Sequence, residues 1–234
     1  MIFQNQTVLV TGAAGNLGRA VAEAFAENGA NLVLVDLKRD HLERAFGAEG
    51  HRRIFAPADL LDPSSVAKAI DMAVGRSGRI DVLCNIAGGF RMGEAVHETS
   101  DETWDLLFDL NARSLLHTVR AVVPRMLTAG GGKIVNVGAF AAQKGVAGMG
   151  AYCASKSAVI RLTEAMAAEL RESHINVNCV LPTIIDTPEN RSAMPDADPS
   201  RWVSPADLAS VVLFLSSKAA RAVHGAALPV TGLS

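Results

Sequence analysis

The chain has 234 residues, of which 49% are hydrophobic and 20% are charged. This length predicts one hydrophobic core rather than two ordinary domains, so we expect a single domain over residues 1–234. The 22 Lys and Arg residues nearly balance the 24 Asp and Glu residues, for a net charge of -2. The chain therefore has no surplus of positive charge for nucleic acid or an anionic membrane, and we expect neither as a partner.

The sequence lacks the signals of a membrane, disulfide-bonded or metal-binding protein. No stretch reaches the roughly 18 apolar residues that a membrane span requires, and residues 1–6 do not resemble a secretion signal, so we expect a cytoplasmic protein. Cys84, Cys153 and Cys179 show no CxxC spacing, which predicts buried, reduced thiols. The six histidines are not paired at the spacing of metal ligands, and no metal site is predicted.

Short apolar runs typical of strands alternate with longer segments of helical periodicity. The predicted strands are Thr7–Val10, Asn31–Val35, Arg53–Ala56, Val82–Asn85, Lys133–Val137, Ile175–Val180 and Ala227–Val230. The predicted helices are residues 17–25, Pro63–Val74, Trp104–Leu127, Tyr152–Leu170 and Pro205–Leu215. Continuous apolar strands indicate a parallel sheet that is covered on both faces. The sequence therefore predicts an α/β fold of the Rossmann type, a doubly wound parallel sheet of about seven strands with helices on both faces.

In such a fold the ligand lies at the carboxyl ends of the strands, so functional residues are expected just after each strand. The segment 183–203 follows the sixth strand and is too long for an ordinary connection. It is either a disordered insert or a flap over the site. Its apolar residues Ile184, Ile185, Met194 and Trp202 favour a flap.

A glycine-rich turn, Thr11–Gly18, follows the first strand and leads into a helical segment. Small residues there would let a pyrophosphate approach the N–H groups at the start of the helix. Glycine also serves tight turns for structural reasons alone, so the pattern gains weight only from its position between strand and helix. The candidate cofactor-binding residues of this turn are Gly12, Ala14, Gly15, Asn16, Leu17 and Gly18.

Asp36 ends the second strand, near the separation of about 20 residues at which a ribose-binding acid is expected. Its carboxylate would accept hydrogen bonds from the ribose and repel the extra phosphate of NADP, so NAD is favoured as the cofactor. Lys38 and Arg39 leave room for NADP as well. Asp59, after the third strand, either accepts from the adenine amino group or caps the helix that begins at Pro63.

Tyr152 and Lys156 stand four residues apart at the start of a helical segment, which places both on one face. A tyrosine has an ordinary pKa of about 10. A neighbouring ammonium and a bound nicotinamide cation would lower that pKa and make the phenol a usable acid or base. A core tyrosine beside a lysine is the commoner explanation of this spacing, but Tyr152 is the only tyrosine in the chain.

Together these motifs resemble those of the short-chain dehydrogenase/reductase family over nearly the whole chain. The segments that carry the resemblance are Thr11–Gly18, Asp36, Asp59–Leu60, Asn85–Gly88, Asn111, Tyr152–Lys156, Pro182, Thr187 and Gly225–Gly232. The resemblance implies an NAD(P)-dependent oxidoreductase that acts on a small molecule and assembles as a homodimer or homotetramer.

The resemblance also implies roles for single residues. Tyr152 would be the proton donor, and Lys156 would lower its pKa and hold the nicotinamide ribose. Asn111 would anchor a water that links Lys156 to solvent. The further cofactor-binding residues that the resemblance implies are Leu37, Leu60, Asn85, Ala87, Gly88, Pro182, Ile185 and Thr187.

One departure from the family pattern bears on the substrate. Members usually carry a serine that donates to the substrate carbonyl, and this chain has Ala139 at that position. The same exchange, the segment Ala87–Phe90 and the flap from Asp186 to Trp202 resemble dihydropteridine reductases. A conjugated imine or quinonoid acceptor spreads the incoming charge over its own ring and needs less help from a donor, so such a substrate is expected.

Two alternatives stay open. Gln143 or Lys144 would replace the serine in an ordinary alcohol dehydrogenase or ketone reductase. The protein would otherwise be a nucleotide-binding module whose chemistry has lapsed, although intact Tyr152, Lys156 and Asn111 argue against this. The candidate substrate contacts are Phe90, Ala139, Gln143 and Arg191.

Overall fold

The computed structural model describes all residues from Met1 to Ser234. Its centre is a seven-stranded parallel sheet in the order β3-β2-β1-β4-β5-β6-β7. The strands are β1 (Thr7–Thr11), β2 (Asn31–Val35), β3 (Arg53–Phe55), β4 (Val82–Asn85), β5 (Gly132–Val137), β6 (Ile175–Pro182) and β7 (Ala227–Val230). The strand order reverses between β1 and β4, which is the switch point where dinucleotides bind in such sheets. The predicted fold class is confirmed.

Helices cover both faces of the sheet. They are α1 (Asn16–Glu27), α2 (Arg39–Phe46), α3 (Pro63–Ser77), α4 (Asp101–Phe108), α5 (Ser114–Thr128), α6 (Gly150–Leu170), α7 (Pro188–Ala193) and α8 (Pro205–Ser216). None of them is both long and apolar enough to cross a membrane.

The sheet separates two hydrophobic cores because successive side chains of a strand point to opposite faces. Val8 and Val10 of β1 pack in one core with residues of α1 and α8. Leu9, between them, packs in the other core with residues of α3, α5 and α6. All five residues of β1 are buried, as the continuous apolar run predicts. Cys84, Cys153 and Cys179 are buried and unpaired, which confirms the prediction of reduced thiols.

Two elements differ from the sequence-based expectation. The short helix α2 is not predicted, because only Leu42 of its eight residues is buried and the apolar signal is therefore weak. The predicted helix Trp104–Leu127 is divided into α4 and α5 by a π-helical turn at Asp109–Arg113. Such turns occur frequently at functional sites, and this one contains Asn111.

The flap segment 183–203 is ordered in the structure. It contains the short helix α7, and Trp202 and Val203 at its end are buried at 8% and 2% exposure. Ile185 forms a parallel bridge with Val203, which closes the segment into a loop anchored on the body of the protein. Thr183, Ile184 and Ile185 of this segment line the main cavity, and its role as a flap stays a prediction.

Candidate active site

A large cavity lies where the carboxyl ends of the strands meet. It has a volume of about 1660 Å³ and is lined by residues that follow each of the strands β1 to β6 and by the flap. This is the edge of the sheet at which the fold predicts a ligand. The predicted site residues on its wall are Gly12, Gly15, Asn16, Leu17, Gly18, Asp36, Leu37, Asp59, Leu60, Ala87, Gly88, Phe90, Ala139, Gln143, Tyr152, Lys156, Pro182, Ile185 and Thr187.

The glycine turn between β1 and α1 presents backbone donors to this cavity. Gly12 has a positive φ of +61°, and a side chain at Gly18 would overlap the Gly12 carbonyl oxygen, so both positions require glycine. Gly15 is the N-cap of α1 and has no side chain to accept from the first N–H groups of the helix. Those N–H groups and the positive end of the helix dipole suit a pyrophosphate. The turn therefore fits a dinucleotide.

Asp36 lies at one end of the cavity, with 15% of its side chain exposed. Its Oδ2 accepts a hydrogen bond from the Ala14 N–H at 3.1 Å. Its Oδ1 accepts from the Leu37 N–H at 2.9 Å and lies 3.0 Å from His41 Nδ1. Ala14 is absent from the cavity wall, and its contact with the cofactor stays a prediction. Its N–H is already used by the carboxylate.

Asp59 lies on the cavity wall, and its Oδ1 accepts from the Leu61 N–H at 2.9 Å. The N-cap of α3 is Asp62, whose carboxylate accepts from the Ser64 N–H at 2.8 Å. The capping alternative for Asp59 is therefore wrong, and Asp59 lines the same cavity as Asp36.

Tyr152 and Lys156 occupy successive turns of α6, and both line the cavity. Lys156 is 5% exposed, and its Nζ donates to the Val137 carbonyl oxygen at 2.9 Å. Burial lowers the pKa of Lys156 to about 8 and raises the pKa of Tyr152 to about 12. The sequence predicts instead that Lys156 lowers the pKa of Tyr152. In this structure desolvation is the larger effect, because the phenol is partly buried against the core and the amine is bonded to the end of β5.

Asn111 is 2% exposed and holds the loop after β4 against α6. Its Oδ1 accepts from the Gly89 N–H at 2.9 Å, and its amide donates to the Gly89 carbonyl at 3.1 Å and to Ser155 Oγ at 3.0 Å. The side chain is not on the cavity wall. A Cβ atom at Gly88 would lie 2.8 Å from Asn111 Oδ1 and 3.0 Å from Lys156 Nζ, so only glycine lets these groups come together.

Two more residues predicted to bind ligand lie elsewhere. Asn85 is buried at the end of β4 and donates to Asn136 Oδ1 at 2.8 Å. Arg191 forms a two-pronged ion pair with Asp186, with N–O distances of 2.6 and 2.8 Å. Neither residue is on the cavity wall. Each side chain is held by another residue, a pairing that the motifs do not reveal, and their ligand contacts stay predictions.

The end of the cavity around Tyr152 is mainly apolar. The Phe90 ring stands edge-on against the Tyr152 ring, with centroids 4.8 Å apart and an interplanar angle of 88°. The other apolar side chains of this end are Met92, Phe140, Val146, Met149, Ile184 and Met194. Phe140, Val146 and Met149 are not predicted as site residues. They follow β5, so the rule that function lies after each strand points to them.

The loop after β5 is fixed against α6 near Tyr152. Cys153 Sγ donates to the Ala141 carbonyl at 3.4 Å, and Ser157 Oγ donates to the Ala142 carbonyl at 2.8 Å. Ala139, at the start of this loop, is 4% exposed and brings no hydroxyl to the wall. Gln143 and Lys144 also line the wall, and neither side chain forms a hydrogen bond or ion pair within the chain.

Comparison with known proteins agrees with this geometry. Residues 6–198 match the family model of the short chain dehydrogenases. The chain is 35% identical to D-threitol dehydrogenase of Mycolicibacterium smegmatis, over 98% of this chain and 93% of that protein.

Two solved structures share the fold at 29% identity. Carveol dehydrogenase from Mycobacterium avium in complex with NAD matches with a TM-score of 0.89. The match covers 99% of this chain and 98% of the carveol dehydrogenase chain. The 3-ketoacyl-(acyl-carrier-protein) reductase from Brucella melitensis complexed with NADH also has a TM-score of 0.89, with 98% of each chain covered. The chain therefore belongs to the short-chain dehydrogenase/reductase family and is an NAD(P)-dependent oxidoreductase.

Proposed function

We propose that the protein reduces a small, apolar and conjugated substrate, an imine, quinonoid or carbonyl compound, with NAD rather than NADP as its cofactor. The observation that carries this proposal is the substrate end of the cavity. Its wall is mainly apolar, and Ala139 stands where a hydroxyl donor would be needed by an ordinary ketone. The likeness to dihydropteridine reductases rests on the residues alone, since the named relatives are dehydrogenases and a ketoacyl reductase.

Different residues on the cavity wall bind different parts of the cofactor. The turn Gly12–Gly18 receives the pyrophosphate, Asp36 the adenosine ribose, and Asp59 the adenine amino group. Lys156 holds the nicotinamide ribose, while Gly88 and Thr187 line the nicotinamide pocket. The bound nicotinamide supplies the hydride. The remaining predicted residues, Leu37, Leu60, Ala87, Pro182 and Ile185, form the sides of this site.

Tyr152 supplies the proton in this proposal. With a pKa raised to about 12 by burial, its phenol is protonated at neutral pH and suits an acid better than a base. The edge-on contact of Phe90 shields the ring from water on one side. Asn111 positions the loop that carries Gly88 and Gly89, and we propose that it also anchors a water between Lys156 and solvent. These features suit Tyr152 to donate a proton when the substrate is reduced.

The missing donor explains why the substrate should be conjugated. Removal of one preorganised donor to a developing oxyanion typically costs about 10²–10³ in rate. A conjugated acceptor delocalises the incoming charge and avoids most of that loss, whereas a saturated ketone does not.

A second candidate function is an alcohol dehydrogenase or ketone reductase in which Gln143 or Lys144 donates to the substrate oxygen. It is favoured by the free polar ends of both side chains on the cavity wall and by the name of the threitol dehydrogenase relative. A nucleotide-binding module without activity is not supported, because the chain belongs to a family of dehydrogenases and retains Tyr152, Lys156 and Asn111.

The two functions are separated by stopped-flow oxidation of NADH against a substrate panel. The panel pairs chemically generated quinonoid dihydropterin and conjugated enones or imines with saturated ketones of similar size. We expect the conjugated compounds to react faster. Faster turnover of the saturated ketones would reject the proposal in favour of the second candidate.

Two variants test the roles of the residues. Ala139→Ser should raise ketone turnover by about 10-fold or more, since it adds a hydroxyl that donates to the carbonyl oxygen of the substrate. Tyr152→Phe should lower turnover of every substrate by about 10²–10⁴-fold, because the proton donor is removed, while NADH binding is retained. Full activity of Tyr152→Phe would exclude the proposed proton transfer.

We further propose that residues 1–234 form one domain and that the protein assembles as a homodimer or homotetramer. Trp104 and Leu106 of α4 are 45% and 36% exposed. Trp104 also stacks on Phe108, with ring centroids 4.4 Å apart. Neighbouring exposed apolar side chains such as Trp104 and Leu106 are typical of a protein interface.

A further inference from the structure

The carboxylate at the Asp36 end of the cavity is held by a residue outside the cavity. His41 Nδ1 lies 3.0 Å from Asp36 Oδ1, and His41 is in the first turn of α2. Asp36 is on the cavity wall, whereas His41 is not. The imidazole therefore contacts the carboxylate from outside the space in which we place the ribose.

The protonation of this pair follows from the chemistry of its atoms. An ionised carboxylate only accepts hydrogen bonds, so the imidazole must carry a hydrogen on Nδ1. The same oxygen, Oδ1, also accepts from the Leu37 N–H at 2.9 Å. These two donors use both lone pairs of Oδ1. Oδ2 accepts only from the Ala14 N–H at 3.1 Å, so one acceptor position remains open on Oδ2.

We propose that His41 is a positioning residue for cofactor selection, which fixes the rotation of the Asp36 carboxylate so that the open acceptor of Oδ2 serves the adenosine ribose. This inference rests on the proposed placement of that ribose at Asp36. Of the three donors to the carboxylate, the other two are backbone N–H groups of Ala14 and Leu37. His41 is thus the one side chain that holds this acid.

The proposal predicts a selective effect on the two cofactors. Without the Nδ1 donor the carboxylate turns more freely about its Cβ–Cγ bond, and the 2′-hydroxyl of NAD loses an aligned acceptor. NADP carries a phosphate at that position and gains nothing from the alignment. Loss of the imidazole should therefore weaken NADH binding and leave NADPH binding unchanged or tighter. A general loss of structure would weaken both cofactors equally.

The experiment compares His41→Asn with His41→Gln and His41→Leu. The amide nitrogen of Asn falls close to the position of imidazole Nδ1, whereas that of Gln falls close to Nε2. Dissociation constants for NADH and NADPH are measured by fluorescence titration on the full chain. Thermal unfolding verifies that each variant is folded. The exposed His51, which follows α2, provides the matched control His51→Gln.

We expect His41→Gln and His41→Leu to lower the preference for NADH over NADPH by about 5- to 20-fold, which is less than a full hydrogen bond to a charged group contributes, because the Ala14 and Leu37 N–H groups still hold the carboxylate. His41→Asn and His51→Gln should keep the preference within about twofold of the unchanged protein. An unchanged preference in folded His41→Gln and His41→Leu would overturn the role of His41.

Asp36→Asn separates this inference from the proposed ribose site. If Asp36→Asn lowers the preference for NADH and the His41 variants do not, the ribose site stands and the positioning role is rejected. If Asp36→Asn also leaves the preference unchanged, the placement of the ribose at Asp36 is itself rejected, and the inference about His41 falls with it.

Discussion

Tyr152 and Lys156 are one helical turn apart, yet burial moves their pKa values in opposite directions. Desolvation disfavours whichever form is charged. It therefore raises the pKa of the phenol to about 12 and lowers that of the ammonium to about 8. At neutral pH the phenol remains protonated and the lysine remains mostly charged, which is the state that proton donation and ribose binding require.

The pKa of Lys156 gives a prediction for the pH dependence of cofactor binding. The lysine carries its charge below about pH 8 and loses it as the pH rises through that value. We expect the dissociation constant of NADH to rise severalfold between pH 7 and pH 9.5, because a neutral amine has fewer donors and no charge. Fluorescence titration across this range tests the expectation.

Lys156→Met should bind NADH weakly and show no pH dependence over the same range. Lys144→Met removes a lysine from the substrate end of the cavity and should retain the original pH profile. An identical pH profile in Lys156→Met would assign the titration to another group.

At the scale of elements, the flap and the glycine turn are linked directly. Asn16 Nδ2, in the first turn of α1, donates to Glu189 Oε2 of α7 at 2.7 Å, across 173 positions of the sequence. Both residues line the cavity beside the proposed pyrophosphate position. The pKa of Glu189 is lowered, first by a hydrogen bond from its own backbone and then by Thr187 and Asn16, so the carboxylate is charged at neutral pH.

Loss of this link should change how fast the cofactor leaves. We expect Glu189→Ala to release NADH several times faster in stopped-flow displacement, because the flap loses its contact with the opposite wall. Asn16→Ala should do the same, and the double variant should add little to either single change. Fully additive effects would show that the two residues do not act through one bond.

The π-helical turn between α4 and α5 is a second element that places a side chain near the site. It brings Asn111 to the loop after β4, where three hydrogen bonds connect Gly89 and Ser155. Asn111→Leu removes these bonds and leaves buried polar groups without partners. We expect it to lower the free energy of unfolding by about 2–4 kcal/mol, measured by urea denaturation. A loss below about 0.5 kcal/mol would contradict this account.

At the scale of the whole molecule, one edge of the sheet gathers residues from distant parts of the sequence. The carboxyl ends of parallel strands meet there, and the two cores on either side hold the sheet rigid. Trp104 and Leu106 remain exposed and do not line the cavity, and we propose assembly as the reason.

Assembly through α4 gives a prediction for solution size. Trp104→Glu places a charge in the proposed interface and should shift the mass measured by light scattering toward that of one chain. Phe214→Glu, on α8, is the comparison, since Phe214 is similarly exposed at 47%. A monomeric mass for the unchanged protein would reject assembly altogether.

Local patterns determined the fold and much of the site. Apolar runs separated by helical segments predicted the parallel sheet. A strand that is covered on both faces has no side exposed to water, so its sequence is mostly apolar rather than alternating. Since such strands end at one edge, residues just after them were identifiable without coordinates. Gly12 and Asp36 are of this kind, and both line the cavity.

Tertiary structure decided where the remaining side chains point and what partners they have. Arg191 pairs with Asp186 and Asn85 with Asn136, and neither residue lines the cavity in this structure. The pKa of Tyr152 depends on burial by surrounding elements, which spacing along one helix does not report. The contacts of His41 with Asp36 and of Asn16 with Glu189 depend on how separate segments pack. Sequence periodicity records burial along one element, whereas pairing and desolvation arise only when elements come together.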